Sequence, residues 1–209
     1  MIKLLLLSIG LTATLLAEVA VYPLSDNIQT IMKKAGSWQK GCPVPLDDLR
    51  YLHLQYLDFD GKTRMGEMVV HKEVAMDVVG IFNELYTIRY PIHKMKLVSA
   101  YKANDWLSIE ADNTSAFNCR NATGSKKWSK HSYGKAIDIN PIENPYISRS
   151  GRISHKASLK YRKRMHKEHS YEDRAVLLKA DKATQIFKKY GWKWGGDWSG
   201  VKDYQHFYK

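Results

Sequence analysis

Leu52-His53-Leu54-Gln55-Tyr56, then Asp60-Gly61, then Gly66-Glu67-Met68-Val69-Val70, is the stretch on which the fold turns. Leu52, Leu54 and Tyr56 alternate with His53 and Gln55, the period of a strand with one face in the core. Asp60-Gly61 supplies a tight turn, so Gly66 to Val70 reads as the returning strand of a hairpin. Directly after it the period changes from two to that of a helix. Val74, Ala75, Val78, Val79, Phe82, Leu85 and Tyr86 fall on one stripe. It should end near Tyr90-Pro91, because the residue ahead of a proline is pushed out of the helical region.

Working outward, Ser25 can cap a short helix through Met32 and Lys33, followed by a loop holding Gly41-Cys42-Pro43 and Pro45. On the other side, Met95 to Ala100 reads as a strand, Asp112 to Asn118 as a polar, turn-rich segment, and Lys135 to Ile139 as a short strand after Gly134. Leu177, Leu178, Ala180, Ala183, Ile186, Phe187 and Tyr190 form a second helical stripe, stopped by Gly191. Hairpins, helices and short strands in mixed order predict an α+β fold, with helices packed on a small antiparallel sheet. Ser148 to Arg174 interrupts this order. Six Lys and Arg lie between Lys156 and Lys167 with no acid among them, as in a solvated basic insertion.

The chain begins with Met1-Ile2-Lys3 and an apolar run from Leu4 to Ala17, which reads as a signal peptide cleaved after Ala17, with a retained N-terminal anchor as the alternative. That run is too short to span a bilayer as a helix, which takes about 20 residues, so no transmembrane domain is expected once the leader is gone. Its one charge is Lys3, and the chain as a whole carries a net +12, so the remainder stays strongly basic. The charge serves solubility or an anionic partner. For an exported protein that partner is wall polymer rather than nucleic acid. Cys42 and Cys119 are the two cysteines, and an oxidising compartment favours their pairing. With no CxxC pattern, a thiolate zinc site is not expected. A secreted or periplasmic monomer is the expectation.

The chemistry concentrates in Ser129-Lys130-His131-Ser132-Tyr133-Gly134-Lys135-Ala136-Ile137-Asp138 and in Asp203-Tyr204-Gln205-His206. Two imidazoles and one carboxylate supply three ligands of a tetrahedral zinc and leave the fourth position open for water, as a hydrolase needs. His131 and Asp138 are seven apart and would point to opposite faces of one regular strand, but Gly134 offers a turn between them. Asp203 and His206 are three apart and need a turn before a short strand. Asp203 is the candidate general base and Arg120 the candidate cation for the developing oxyanion. Trp198 can line a substrate groove, whereas Trp192 and Trp194 read as core. His166 and His169 have ligand-like spacing but sit in the basic run and read as solvated surface. His53, His71 and His93 have no acidic companion at ligand spacing.

Ser129-x-His131-x-x-Gly134-x-Ala136-x-Asp138 followed by Asp203-x-x-His206 resembles the zinc-binding signature of the D-alanyl-D-alanine carboxypeptidase and L-alanyl-D-glutamate endopeptidase family. Gly41 to Pro45, Asp112 to Arg120 and Ile137 to Tyr146 are similar to its exported branch. The resemblance implies His131, Asp138 and His206 as zinc ligands, Asp203 as catalytic base, Arg120 beside the oxyanion and Ser129 in substrate binding. It implies a zinc peptidase domain over 41–209, with the basic insertion at about 148–174, after a leader at 1–17 and an N-terminal helical extension at 18–40. The fold it implies is a small antiparallel sheet with helices on one side and a single zinc in a cleft. The substrate it implies is the peptidoglycan stem peptide, cut as by a carboxypeptidase or, alternatively, as by the endopeptidase. A non-catalytic zinc module that binds the wall is the further alternative. Two departures stand out: Asp203 where many members carry Glu, and Phe207-Tyr208 where Phe-Glu is common.

Overall fold

A computed structural model of the chain describes residues 20–166 and 170–209; the leader at 1–17 and His169 lie outside the described residues. The hairpin forms as its period requires. Strands β2 (Leu49–Leu57) and β3 (Thr63–His71) pair antiparallel, and Leu52, Leu54, Met68 and Val70 are buried. Asp58 organises the turn, its Oδ1 accepting from the backbone N–H groups of Asp60 and Lys62 at 3.0 and 2.8 Å. Gly61 takes the positive φ of 75°.

Helix α1 (Asp26–Ala35) starts at Ser25, whose Oγ accepts from Ile28 N–H, and ends at Gly36 with φ 82°. Ahead of it, Ala20–Pro23 forms strand β1 and adds to the outer edge of β2, so the segment expected as a helical extension also contributes to the main sheet. Helix α2 (Ala75–Thr87) lays Val78, Ile81, Phe82 and Leu85 on that sheet, fully buried. Each is worth about 1.5–3 kcal/mol against exposure.

The remaining strands are short and divide into separate patches. β4 (Lys94–Met95) and β5 (Asn113–Thr114) pair in parallel. β6 (Ala136–Asp138), β8 (Lys193–Trp194) and β10 (His206–Tyr208) form a second three-stranded antiparallel sheet in the order β6-β10-β8. β7 (Tyr146–Ile147) and β9 (Lys202–Asp203) make a two-stranded ribbon. The architecture is therefore α+β, with several small sheets in place of the single one expected. The patches share one core. Ile137, Ile139, Trp194 and Phe207 join Leu54, Val70, Phe82 and Phe187 in it. Phe187 stacks on Phe207 at 3.8 Å between ring centres.

Three expectations need correction. Met95 to Ala100 is not one strand: pairing stops at Met95, and Val98–Tyr101 turns into a 3-10 helix. The second helical stripe begins late, as α5 (Lys182–Lys189), because side chains take the earlier backbone donors. Asn144 Oδ1 accepts from Leu177 N–H at 2.8 Å and Asp181 Oδ2 from Leu178 N–H at 2.9 Å. The basic insertion is not wholly solvated. Arg164 is drawn inward to donate to the carbonyls of Glu143 and Leu177 and to Asn144 Oδ1, and it lies 4.4 Å over the Tyr204 ring. Helix α3 (Asp105–Glu110) and the short α4 (Tyr171–Arg174) complete the α-helices among the described residues.

Cys42 and Cys119 are joined by a disulfide, Cα atoms 5.9 Å apart. The bridge ties the loop after α1 to the segment carrying Arg120, beside a second cluster of Met32, Leu49, Val69 and Phe117. Among the described residues, no helix is long and apolar enough to cross a membrane.

Candidate metal centre

Antiparallel register brings two distant residues together. β10 pairs with β6 so that His206 sits directly opposite Asp138, and directly opposed residues share a face. His206 Nδ1 lies 2.9 Å from Asp138 Oδ1. His131 arrives from a 3-10 turn at Lys130–Tyr133, which Ser129 caps by accepting from His131 N–H at 3.3 Å. Gly134 closes that turn with φ 65°, and a Cβ there would meet the His71 backbone nitrogen at 2.6 Å. Only glycine suits that position. The turn swings His131 back over the strand, so that its Nε2 stands 3.2 Å from Asp138 Oδ2 and 3.2 Å from His206 Nδ1.

His131, Asp138 and His206 thus offer one ligand atom each, all within 4.8 Å of one another. His131 is 4 % exposed and His206 7 %. The Nδ1–H of His131 donates to the Ala116 carbonyl at 2.6 Å, which fixes the tautomer with Nε2 bare. Tetrahedral zinc with arms of about 2.0–2.1 Å separates its ligand atoms by about 3.3–3.4 Å. The donor set and its spacing fit such an ion. Burial alone would raise the Asp138 carboxyl, but the facing His131 and His206 rings outweigh it and hold Asp138 well below the usual carboxylate range. Burial likewise opposes charge on His131. The Asp138 carboxylate prevails and raises it, while Arg120 pushes the other way.

Asp203 reaches the centre from β9, three residues before His206, with a turn at Tyr204-Gln205 between the strands. Gly195 packs against it, since a Cβ there would come within 2.5 Å of the Asp203 carbonyl oxygen. The residue is half-buried, yet its Oδ1 is fully buried without a hydrogen-bond partner. Burial pushes its pKa up to about 6. The Asp138 charge adds to that push, and His206 pulls against it.

The other expected residues divide. Arg120 is half-buried, near enough to act on His131 electrostatically, and held in an ion pair by Asp105. Ser129 is buried and positions His131 through the turn. Trp198 is half-buried, with its ring 5.6 Å from the His206 ring. Trp192 and Trp194 are core. His166 binds Asp181 Oδ2 at 3.1 Å through Nε2, outside this centre.

Sequence reasoning missed three contributors. Tyr208 stacks on His206 at 5.5 Å and accepts from Trp198 Nε1–H at 3.2 Å. Its place two residues after a candidate ligand on a strand was the available signal, since such positions share a face. Asp105 and the Ala116 carbonyl carried none; the fold alone delivers them.

Residues 123–209 match a family model described as D-alanyl-D-alanine carboxypeptidase. No curated protein and no solved structure matches the chain. The matched region holds the candidate ligands His131, Asp138 and His206 together with Asp203, and over it the chain is similar to the D-alanyl-D-alanine carboxypeptidase family.

Proposed function

We propose that the protein is a zinc-dependent hydrolase of peptidoglycan stem peptides, of the D-alanyl-D-alanine carboxypeptidase type, acting outside the cytoplasmic membrane. The single observation that carries this reading is the convergence of His131 Nε2, Asp138 and His206 Nδ1 on one point, with Asp203 beside them. Those three would hold the ion. When bound, zinc supplies Lewis acidity toward the scissile carbonyl and makes water nucleophilic near neutral pH.

The chain's own residues do the rest. Asp203, poised near pH 6 with an unpartnered oxygen, accepts the proton from the attacking water and returns it to the leaving amine nitrogen. Arg120, oriented by Asp105, places a fixed positive charge where the carbonyl oxygen gains negative charge. His131 is held in one tautomer by Ala116, so the ligand geometry needs no rearrangement during turnover. Trp198 and Tyr208 wall the His206 side and restrict water there. The disulfide suits an oxidising compartment, which supports a secreted or periplasmic location.

Incubation of the chain with purified muropeptides, with and without a chelator, tests the reading by mass spectrometry. Release of terminal D-alanine that stops on chelation is expected. Scission of the L-alanyl-D-glutamate bond would instead assign the endopeptidase reaction. Absence of any metal-dependent product from stems of every length would overturn the hydrolase.

A further inference from the structure

A groove of about 760 Å³, lined by none of His131, Asp138, His206 and Asp203, is not used by the chemistry above. Its walls carry Lys126, Lys127, Lys130, Lys135 and Lys209, against one carboxylate, Glu73. Glu73 is already engaged by Lys135 at 2.5 Å, and Lys209 is engaged by Asp77 at 2.6 Å. Among the described residues, Lys126, Lys127 and Lys130 have no acidic partner within salt-bridge distance. Burial pushes the His71 pKa down, which favours its neutral form. A concave surface lined by one sign of charge concentrates anions.

The groove is built by ordered backbone. Residues 121–128 form a tight hairpin in which Asn121 bridges to Trp128 and Ala122 N–H donates to the Lys127 carbonyl at 2.9 Å. Gly124 takes φ 70° at its tip. This fixes Lys126, Lys127 and Trp128 on one rim. Trp128 and Tyr133 remain 37 % and 40 % exposed, giving flat apolar faces among the cations. Side-chain contacts link the groove to His206: Lys130 Nζ lies 6.0 Å over the Tyr208 ring, and Tyr208 stacks on His206.

We propose that this groove is a binding site for a carboxylate-bearing stretch of the peptidoglycan strand remote from the bond that is cut. Stem carboxylates lie on Lys126, Lys127 and Lys130, and a sugar ring lies on Trp128. The choice of strand rests on the hydrolase reading. The choice of an anionic ligand with flat apolar faces rests on the groove itself. Aromatic rings beside cations suit a glycan bearing carboxylates, whose rings present C–H faces between charges.

Co-sedimentation of the zinc-loaded full chain with purified sacculi, at low and high salt, tests this. The comparison uses the Lys126→Glu/Lys127→Glu variant and sacculi whose carboxylates have been amidated. Either change should weaken pelleting by roughly tenfold, and salt should do likewise. Zinc titration of the variant, matching the unaltered chain, shows that fold and metal centre survive the substitution. Equal pelleting of both proteins, indifference to amidation, or tighter binding to a DNA duplex than to sacculi would each overturn the proposal. Charge-dependent pelleting without hydrolysis of any muropeptide would support the groove and defeat the hydrolase. Equal pelleting with intact hydrolysis would do the reverse.

Discussion

Asp138 and His206 face one another across β6 and β10, with Oδ1 2.9 Å from Nδ1, so the backbone pairing itself sets the separation of two candidate ligands. The carboxylate's charge also raises His131 above the ordinary imidazole value. Asp138→Asn keeps the shape and removes the charge. It should weaken zinc binding by at least about 100-fold while leaving the fold intact, because a neutral amide is a poor ligand for a dication. Competition with a chromophoric chelator measures this, and unchanged affinity would exclude Asp138 from the ligand set.

Asp203 gives a pH-dependent signature. Its folded value is raised to about 6, so the metal-free protein has this contribution to stability in full below the ordinary aspartate value and loses it as pH rises through about 6. Asp203→Asn should stabilise the metal-free protein above that pH, by as much as about 3 kcal/mol, and have no benefit near pH 3. For catalysis the sign reverses, since the acceptor must be ionised. Activity should fall on the acid side, and Asp203→Asn should lose about 100- to 10,000-fold in kcat while retaining zinc. Thermal melts against pH, alongside kcat of the zinc-loaded variant, check both halves.

Asp112 and Glu143, both buried, form an acidic pair outside the candidate metal centre. Burial, reinforced by the Asp112 charge, pushes Glu143 up to about 9. Burial also raises Asp112, while His93 Nδ1, 3.5 Å from Asp112 Oδ2, opposes that rise. Such a raised group contributes its stability in full below the ordinary glutamate value and loses it progressively as pH climbs from there to about 9. The melting temperature should therefore decline from about pH 5 to about pH 9, and Glu143→Gln should flatten that decline. An equal decline over that range in the variant would place the titrating group elsewhere.

The parts legible in the sequence were those whose pattern is local. The alternation of Leu52, Leu54 and Tyr56 and the stripe from Val74 to Tyr86 each bury one face against their immediate neighbours, so periodicity sufficed for β2 and α2. The strand expected at Met95 to Ala100 depended on a partner, β5, that offers only two residues. The helix expected from Leu177 depended on backbone donors that Asn144, from a different loop, captures. Arg164 looked solvated because its run is basic, yet its guanidinium finds interior carbonyls supplied by remote loops. At the site, residue types and spacing named the cluster that the fold brings together. The Asp105 contact that orients Arg120 and the Ala116 carbonyl that sets the His131 tautomer exist only once the chain is folded.

Zinc stoichiometry tests the centre most directly. The metal-free full chain, titrated with zinc against a competing chelator, should take up one ion per chain, and His131→Ala and His206→Ala should each abolish that uptake. Failure to retain zinc, or retention of one ion undiminished by His206→Ala, would contradict a shared ion at His131, Asp138 and His206.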